Sequence, residues 1–232
     1  MLLFGATGAI GRTVLEQAKA RGWLVTAVTR GDPPASEESG ADWQRWDVAA
    51  EESLSDIAKK APFDAVCWAQ GANMADSLFE FDARKHLSLY EANVMFVLRS
   101  AAALVEGGVL QPSGARLVVV SSIWQERARE NKLSYAVTKA AIGGLVRAAS
   151  ADLGRRNHLI NAVLPGVLDT PMTRANLTPA EIEAVSSKTT FGRLPDLATL
   201  GEMILFLCSR ENNAITGQSI TIDLGMSNAI LI

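Results

Sequence analysis

The residues Gly5-Ala6-Thr7-Gly8-Ala9-Ile10-Gly11 follow the apolar run Leu2-Leu3-Phe4 at the start of the chain. A helical pattern of apolar residues begins near Ile10, so the glycines join a strand to a helix. Glycine lets the backbone turn sharply and approach a ligand, and the free N–H groups at a helix start attract an anion. The stretch predicts a turn that holds the phosphates of a dinucleotide, with a purely structural tight turn as the alternative.

The rest of the chain alternates runs of strand length with stretches of helical period, which is typical of repeated βαβ units around a parallel sheet. Seven strands are predicted near Leu2–Phe4, Leu24–Thr29, Asp42–Trp46, Ala65–Trp68, Arg116–Ser121, Leu159–Leu164 and Ser219–Ile222. The clearest helices are predicted at Ile10–Arg21, Arg84–Glu106, Ser134–Arg155 and Leu197–Ser209. We predict an α/β fold of the Rossmann type, with a doubly wound parallel sheet in a single domain over residues 1–232.

Composition narrows the class of protein. The chain has 48% hydrophobic and 20% charged residues and a net charge of −3, without a basic stripe, so we expect a packed globule that binds no nucleic acid. Cys67 and Cys208 lie in apolar runs, which favours buried thiols in a reducing, cytoplasmic setting. The apolar start lacks a basic flank and meets Gly5 at once, so we predict neither an export signal nor a membrane span.

Two stretches interrupt the pattern and are predicted to be surface loops, Gly31–Gly40 and Pro165–Pro195. The second contains a short helical candidate after Thr178-Pro179. Its length and its place beside the carboxyl end of a strand favour an active-site lid. A simple connector is the alternative.

Arg30 follows the second predicted strand, where a carboxylate would bind an adenosine ribose and an arginine would bind a 2′-phosphate. Arg12, just after the glycines, could assist it. We therefore expect NADP(H) to be favoured over NAD(H), the alternative being that Arg30 is a solvated strand-end residue. Asp47 follows the third strand and could accept a hydrogen bond from the adenine amino group or form a turn.

Three residues suggest proton-transfer chemistry. Ser122 follows the fifth strand, and Tyr135 and Lys139 are four residues apart on a predicted helix, hence on one face. A free phenol titrates near pH 10, roughly, and a nearby cation favours its ionised form. We expect Ser122 to hold a substrate oxygen while Tyr135, primed by Lys139, gives or takes its proton as a nicotinamide transfers hydride.

Taken together, these motifs resemble the short-chain dehydrogenase/reductase family over nearly the whole chain. Ser122 precedes Tyr135 by thirteen positions, which matches the family spacing. The resemblance implies that Asn93 completes a catalytic tetrad and holds a water bonded to Lys139. It also implies an oxidoreductase that reduces a carbonyl, such as a 3-oxoacyl thioester or another ketone, to an alcohol, or the reverse.

The resemblance further implies the contacts of the cofactor. They would come from the glycine turn and from the segments after the second, third, fourth and sixth strands. These residues are Gly5, Thr7, Gly8, Ala9, Ile10, Gly11, Arg12, Arg30, Asp47, Val48, Ala69, Gln70, Gly71, Pro165, Gly166, Val167 and Thr170. Substrate contacts would come from Pro165–Pro195 and Met74–Phe81, which we expect to form a mostly apolar pocket.

Two segments depart from the family pattern. Ala9 stands where the common spacing has glycine, and Trp68-Ala69-Gln70-Gly71 replaces Asn-Asn-Ala-Gly. The first feature is typical of extended members that act as dehydratases or epimerases on nucleotide sugars, although those carry an added substrate domain. A cofactor sensor without catalysis is another alternative, which would not need Ser122, Tyr135 and Lys139.

The resemblance also implies a homodimer or homotetramer that pairs the helices over Arg84–Glu106 and Ser134–Arg155. The apolar tail Met226–Ile232 would cover a neighbouring subunit or fold back on its own. No metal site is expected, because the two cysteines and two histidines do not form a ligand pattern.

Overall fold

A computed structural model of the protein describes residues 1–31, 41–48, 54–170, 173–174 and 177–229. The described residues form a seven-stranded parallel sheet of order β3-β2-β1-β4-β5-β6-β7. The strands are β1 (Leu2–Phe4), β2 (Thr26–Thr29), β3 (Asp42–Arg45), β4 (Ala65–Trp68), β5 (Arg116–Val120), β6 (Leu159–Pro165) and β7 (Ser219–Ile222). All seven predicted strands are confirmed; three have the predicted bounds, and the other four differ at one end by one or two residues.

Helices connect these strands. They are α1 (Ala9–Ala20), α2 (Ser55–Ala58), α3 (Ala83–Tyr90), α4 (Phe96–Glu106), α5 (Leu133–Gly154), α6 (Pro179–Ser186) and α7 (Leu197–Cys208). Short 3-10 turns cover Leu78–Glu80 and Ile123–Gln125. The helical candidate after Thr178 is confirmed, because Thr178 and Glu181 form a reciprocal capping box at the start of α6 and Pro179 fills its first position.

One predicted helix is interrupted. The sequence predicts a continuous helix over Arg84–Glu106, but a π-helical turn at Glu91–Met95 separates α3 from α4. The turn contains Asn93, whose side chain is drawn into tertiary hydrogen bonds with Ala72 and Thr138. Apolar periodicity does not register an inserted residue of this kind, and such turns are frequent at functional sites.

Strand pairing fixes where a ligand can bind. Leu3 on β1 pairs with Ala27 on β2 and with Cys67 on β4. The chain therefore adds β2 and β3 on one side of β1 and then crosses to add β4 to β7 on the other side. In open parallel sheets, the crevice at such a switch point lies at the carboxyl ends of the strands. The glycine turn after β1 and the segment after β4 both border this crevice.

Apolar clusters cover both faces of the sheet. One contains Phe4, Trp46 and Trp68, and the other contains Leu3, Cys67 and Cys208. Both thiols are free and buried, and burial raises the pKa of each, as expected for residues used in packing. None of the helices in the described ranges is long and apolar enough to cross a bilayer.

Candidate active site

The turn between β1 and α1 requires glycine at two positions, because other backbone atoms approach it closely. Gly5 has a φ of +75°, and a Cβ there would lie 2.5 Å from the backbone nitrogen of Gln70. A Cβ on Gly11 would lie 2.1 Å from the Gly5 carbonyl oxygen. Gly8 is the N-cap of α1 and offers no side-chain cap, so the start of this helix directs backbone N–H groups and its positive dipole end outward. The turn can therefore hold a diphosphate.

A cavity of about 260 Å³ opens beside this turn. Its walls are Phe4, Gly5, Thr7, Val28, Thr29, Arg30, Gly31, Trp46, Gln70 and Phe96. Phe4 is the centre of an aromatic cluster, since it stacks on Trp68 at 5.7 Å, lies 5.9 Å from Trp46 and meets the ring of Phe96 edge-on at 5.7 Å. This apolar floor with a polar mouth suits the adenosine end of a dinucleotide.

Gln70 carries the best evidence that a polar ligand belongs in this cavity. Its Nε2 and Oε1 are both buried, and neither has a hydrogen-bond partner in the described structure. A buried amide left in this state costs about 1–3 kcal/mol for each unsatisfied group. Because the amide offers both a donor and an acceptor, it matches the hydroxyl and phosphate groups of a nucleotide. Gln70 is among the cofactor contacts that the family resemblance implies, although the residue departs from the family pattern.

Arginines lie at the mouth of the cavity. Arg30 follows β2 and is exposed at the wall, where the sequence placed it. Arg12 is exposed on α1 and donates from Nη2 to the Thr7 carbonyl at 3.3 Å. After β3, Trp46 forms the wall, Val48 belongs to the core and Asp47 is half-buried. Sequence reasoning missed Trp46, although it precedes the predicted Asp47 directly.

The catalytic pair predicted from Ser122 and Tyr135 is brought together. Ser122 follows β5 in an extended conformation, and its hydroxyl is close enough to the phenol of Tyr135, in the first turn of α5, to lower the pKa of that phenol. Burial raises the pKa of Tyr135 above the ordinary phenol value, and the Ser122 hydrogen bond opposes this only in part. Burial, rather than the ammonium of Lys139, therefore decides the direction in which the pKa of Tyr135 is shifted. The phenol is protonated at neutral pH and can act as an acid.

Lys139 lies one helical turn beyond Tyr135, as the spacing predicts. Its Nζ is 5.5 Å from the centroid of the Tyr135 ring and donates to the Val120 carbonyl at 3.3 Å. Burial lowers the pKa of Lys139 to about 8. The group is therefore still largely an ammonium at neutral pH.

Asn93 joins this cluster through the segment after β4. Its Oδ1 accepts from Ala72 N at 2.7 Å, and its Nδ2 donates to the Ala72 carbonyl at 3.0 Å and to Thr138 Oγ1 at 3.1 Å. A Cβ on Gly71 would lie 3.5 Å from Asn93 Oδ1 and 3.6 Å from Lys139 Nζ. Asn93 thus fixes this segment against α5, while its contact with a water stays a prediction.

Asp76 is a part of the site that sequence reasoning missed. Its Oδ1 accepts from Ser134 N at 2.9 Å, and its Oδ2 accepts a short hydrogen bond from Ser134 Oγ. Lys132, the N-cap of α5, makes no side-chain cap. Asp76 therefore caps the helix of Tyr135 from 58 positions away, a distance over which no local pattern could reveal it.

The segment after β6 lies against the end of β7. Gly166 N donates to the Ile222 carbonyl at 2.9 Å, and a Cβ on Gly166 would lie 2.8 Å from Asp223 Cβ. Pro165 ends β6, Val167 is half-buried, and Thr170 Oγ1 accepts from Thr173 N at 3.1 Å. Several predicted positions of this loop and tail lie outside the described residues, namely 171–172, 175–176 and 230–232.

Comparison with known sequences matches the chain almost from end to end. A family model described as "Enoyl-(Acyl carrier protein) reductase" matches residues 5–227. The chain is 28% identical over 239 residues to "Uncharacterized oxidoreductase YmfI" of Bacillus subtilis (strain 168), with 97% of each chain covered. It is 27% identical over 234 residues to L-xylulose reductase of Cavia porcellus, with 97% of this chain and 94% of that protein covered.

Among solved structures, the fold is similar to that of a gluconate 5-dehydrogenase from Burkholderia cenocepacia J2315, solved in complex with NADP and tartrate. The TM-score is 0.89 at 23% identity, over 99% of this chain and 95% of that one. At this identity the likeness establishes the fold, including the predicted doubly wound sheet.

Proposed function

This chain belongs to the short-chain dehydrogenase/reductase family of NAD(P)-dependent oxidoreductases, and we propose that it is an NADPH-dependent carbonyl reductase in which Tyr135 is the proton donor. The single observation that carries the proposal is the Ser122–Tyr135–Lys139 cluster. The Ser122 hydroxyl acts directly on the pKa of the Tyr135 phenol, and the buried ammonium of Lys139 lies 5.5 Å from the centroid of the phenol ring.

The direction of reaction follows from the protonation of Tyr135. Because burial raises the pKa of Tyr135, the phenol is in its acid form at neutral pH. A reduction needs an acid beside the carbonyl oxygen, and an oxidation needs a base. A protonated phenol supports the reductive direction, in which Tyr135 gives its proton to the carbonyl oxygen.

The residues of the site divide the work. When bound, the nicotinamide cofactor supplies the hydride, and the glycine turn, Gln70 and Arg30 would hold its adenosine and diphosphate end. Ser122 donates a hydrogen bond to the substrate oxygen and orients it. Tyr135 protonates that oxygen as the negative charge develops, and the Lys139 ammonium stabilises the phenolate that remains.

We propose NADPH rather than NADH because Arg30 is exposed at the cavity mouth and Arg12 is nearby. A guanidinium binds a phosphate through paired, charge-assisted hydrogen bonds. The NADP-bound gluconate 5-dehydrogenase supports this choice by analogy only. The substrate is a ketone or aldehyde, for which a 3-oxoacyl thioester is one candidate.

The test measures NADPH oxidation with a panel of ketones, aldehydes and 3-oxoacyl thioesters. Tyr135→Phe should lower kcat by about 10²–10⁴-fold, the usual contribution of a general acid, with NADPH binding retained in a fluorescence titration. Tyr90→Phe, a change at the other tyrosine, is the control and should stay within about twofold of the parent. Native turnover by Tyr135→Phe would refute the assignment.

The cofactor preference has its own measurement. Arg30→Ala should lower kcat/KM for NADPH by about tenfold or more, the effect of losing one charge-assisted hydrogen bond or two. The value for NADH should change far less. Equal values for both cofactors in the parent protein would contradict the NADPH preference.

We further propose that copies of the chain pair through α3, α4 and α5. Leu87, Leu98 and Val137 lie on these helices with exposed fractions of 65%, 42% and 44%, which supports an apolar contact. Light scattering at micromolar concentration should give the mass of a dimer or tetramer. A monomer would remove this part of the proposal.

A further inference from the structure

A second ammonium lies beside the phenol of Tyr135. Lys132 Nζ is 5.8 Å from the centroid of the Tyr135 ring, almost the same distance as Lys139 Nζ at 5.5 Å. The two differ in their surroundings, because Lys139 is buried in the protein and Lys132 is half-buried at the start of α5. The family tetrad accounts for Lys139 and leaves Lys132 without a role.

Within the described ranges, the ammonium of Lys132 forms no ion pair with a carboxylate. Its Nζ donates to two neutral acceptors, Asn73 Oδ1 at 2.9 Å and the Met74 carbonyl at 3.3 Å. An ammonium has three N–H donors, so one is left over. Burial lowers the pKa of Lys132, Arg129 lowers it further and Asp76 opposes them, while both oxygens of Asp76 are engaged by Ser134.

A second positive charge, that of Arg129, acts on Lys132. Arg129 is exposed and close enough to influence both Lys132 and Glu181 on α6. One oxygen of Glu181, Oε2, accepts from Thr178 N and from Thr178 Oγ1 at 2.8 Å each. The acids nearest in sequence, Glu126 and Glu130, are exposed. In the part of the chain that the structure describes, no carboxylate accepts a hydrogen bond from Lys132, so its third N–H donor is available to a ligand.

We propose that Lys132 binds an anionic group of the substrate, so that this reductase prefers short carbonyl compounds that carry a carboxylate or a phosphate. The inference rests on the proposed function, because it places the anion on a molecule whose carbonyl meets Tyr135. A hydrogen bond spans about 3 Å, and Lys132 Nζ is 5.8 Å from the ring centroid. The anion then lies only a few carbon atoms from the carbonyl. Such a contact would add one charged group to the pocket, which we expect from the sequence to be mostly apolar.

The experiment compares matched substrates with the NADPH-loaded protein. 4-Oxopentanoate is compared with its methyl ester, and dihydroxyacetone phosphate with dihydroxyacetone. In at least one pair, kcat/KM should be about tenfold or more higher for the charged substrate than for its neutral partner, mostly because KM is lower. One charge-assisted hydrogen bond accounts for a difference of this size. The pair with the larger ratio identifies the anion as carboxylate or phosphate.

Variants separate the charge of Lys132 from its hydrogen bonds to the loop. Lys132→Met should bring the ratio of charged to neutral substrate close to one, and Lys132→Arg should keep most of it. Lys85→Met removes a lysine from the exposed face of α3 and should leave the ratio as it is. A purely structural role of Lys132 would lower both members of a pair equally and would overturn the inference.

Binding of an unreactive anion distinguishes this inference from the proposed function. Succinate and inorganic phosphate should bind to the NADP⁺ complex in calorimetry, about tenfold more weakly after Lys132→Met. Turnover without a charge preference and without this binding refutes the inference alone. Lys132-dependent binding without turnover of any carbonyl refutes the proposed function alone. If neither turnover nor this binding is observed, both proposals are refuted.

Discussion

Replacing Asp76 tests whether a distant carboxylate holds the catalytic helix in place. Asp76→Ala removes the acceptor of Ser134 N, which is 2.9 Å away, and that of Ser134 Oγ. The hydroxyl can turn to His86 Nδ1 at 2.8 Å, but the backbone N–H stays buried and unpaired. One stranded donor costs about 1–3 kcal/mol and the lost bond to a charged group about 1.5–3 kcal/mol. With the hydroxyl partly re-paired, we expect a loss of about 3 kcal/mol in the free energy of unfolding.

That loss corresponds to a fall of roughly 6–12 °C in Tm for a chain of this size. Asp76→Asn keeps one acceptor for Ser134 N and should cost only about 1 kcal/mol. Because Tyr135 follows Ser134 directly, fraying of the first turn of α5 displaces the phenol. A displacement of about 1 Å can cost 100-fold in rate, so kcat for Asp76→Ala should fall about 10–100-fold.

Asp82→Ala is the matched control. Asp82 caps α3, where its Oδ1 accepts from Arg84 N at 2.9 Å and from Lys85 N at 3.2 Å, but it does not contact the helix of Tyr135. It should lose about 1 kcal/mol of stability and keep its kcat. Urea unfolding and NADPH oxidation measure both quantities. If Asp76→Ala kept its kcat, or if Asp82→Ala lost as much of it, the positioning role of Asp76 would be refuted.

Two further predictions concern the glycine turn and the pH profile. Gly11→Ala forces a Cβ to within 2.1 Å of the Gly5 carbonyl oxygen, so it should cost about 1–3 kcal/mol in urea unfolding and weaken NADPH binding. Gly144→Ala has open space around it and should instead add about 0.5–1 kcal/mol; equal effects would contradict the packing argument. Since the pKa of Lys139 is lowered to about 8, its charge is present below that pH and lost above it. kcat/KM for reduction should accordingly fall as pH rises through this region, and a profile that stays flat to far higher pH would exclude the role of Lys139.

The sequence predicted those parts of the site that lie within one element or at its end. The glycine turn, Ser122 and the Tyr135–Lys139 pair each have a local signature, because a strand end or a helical face fixes their geometry. Asp76 and Lys132 have none. Their roles depend on how the loop after β4 meets the start of α5, which is a tertiary contact.

The sheet and most helices were equally readable, since uninterrupted apolar runs indicate strands covered on both faces. The π-helical turn at Glu91–Met95 was not, because the apolar pattern continues through it. Gln70 was expected among the cofactor contacts only because of the family resemblance, and its residue type departs from the family pattern. Its meaning came from the burial of an amide whose Nε2 and Oε1 lack partners.

The cavity beside the glycine turn draws its walls from both halves of the sheet, Val28 and Trp46 from one and Gln70 and Phe96 from the other. A nucleotide held there braces together segments that are far apart along the chain. At a concentration 100 times its Kd, such a ligand adds about 2.7 kcal/mol to the free energy of unfolding. The supply of cofactor in the cell would then govern how long each molecule survives, as well as how fast it works.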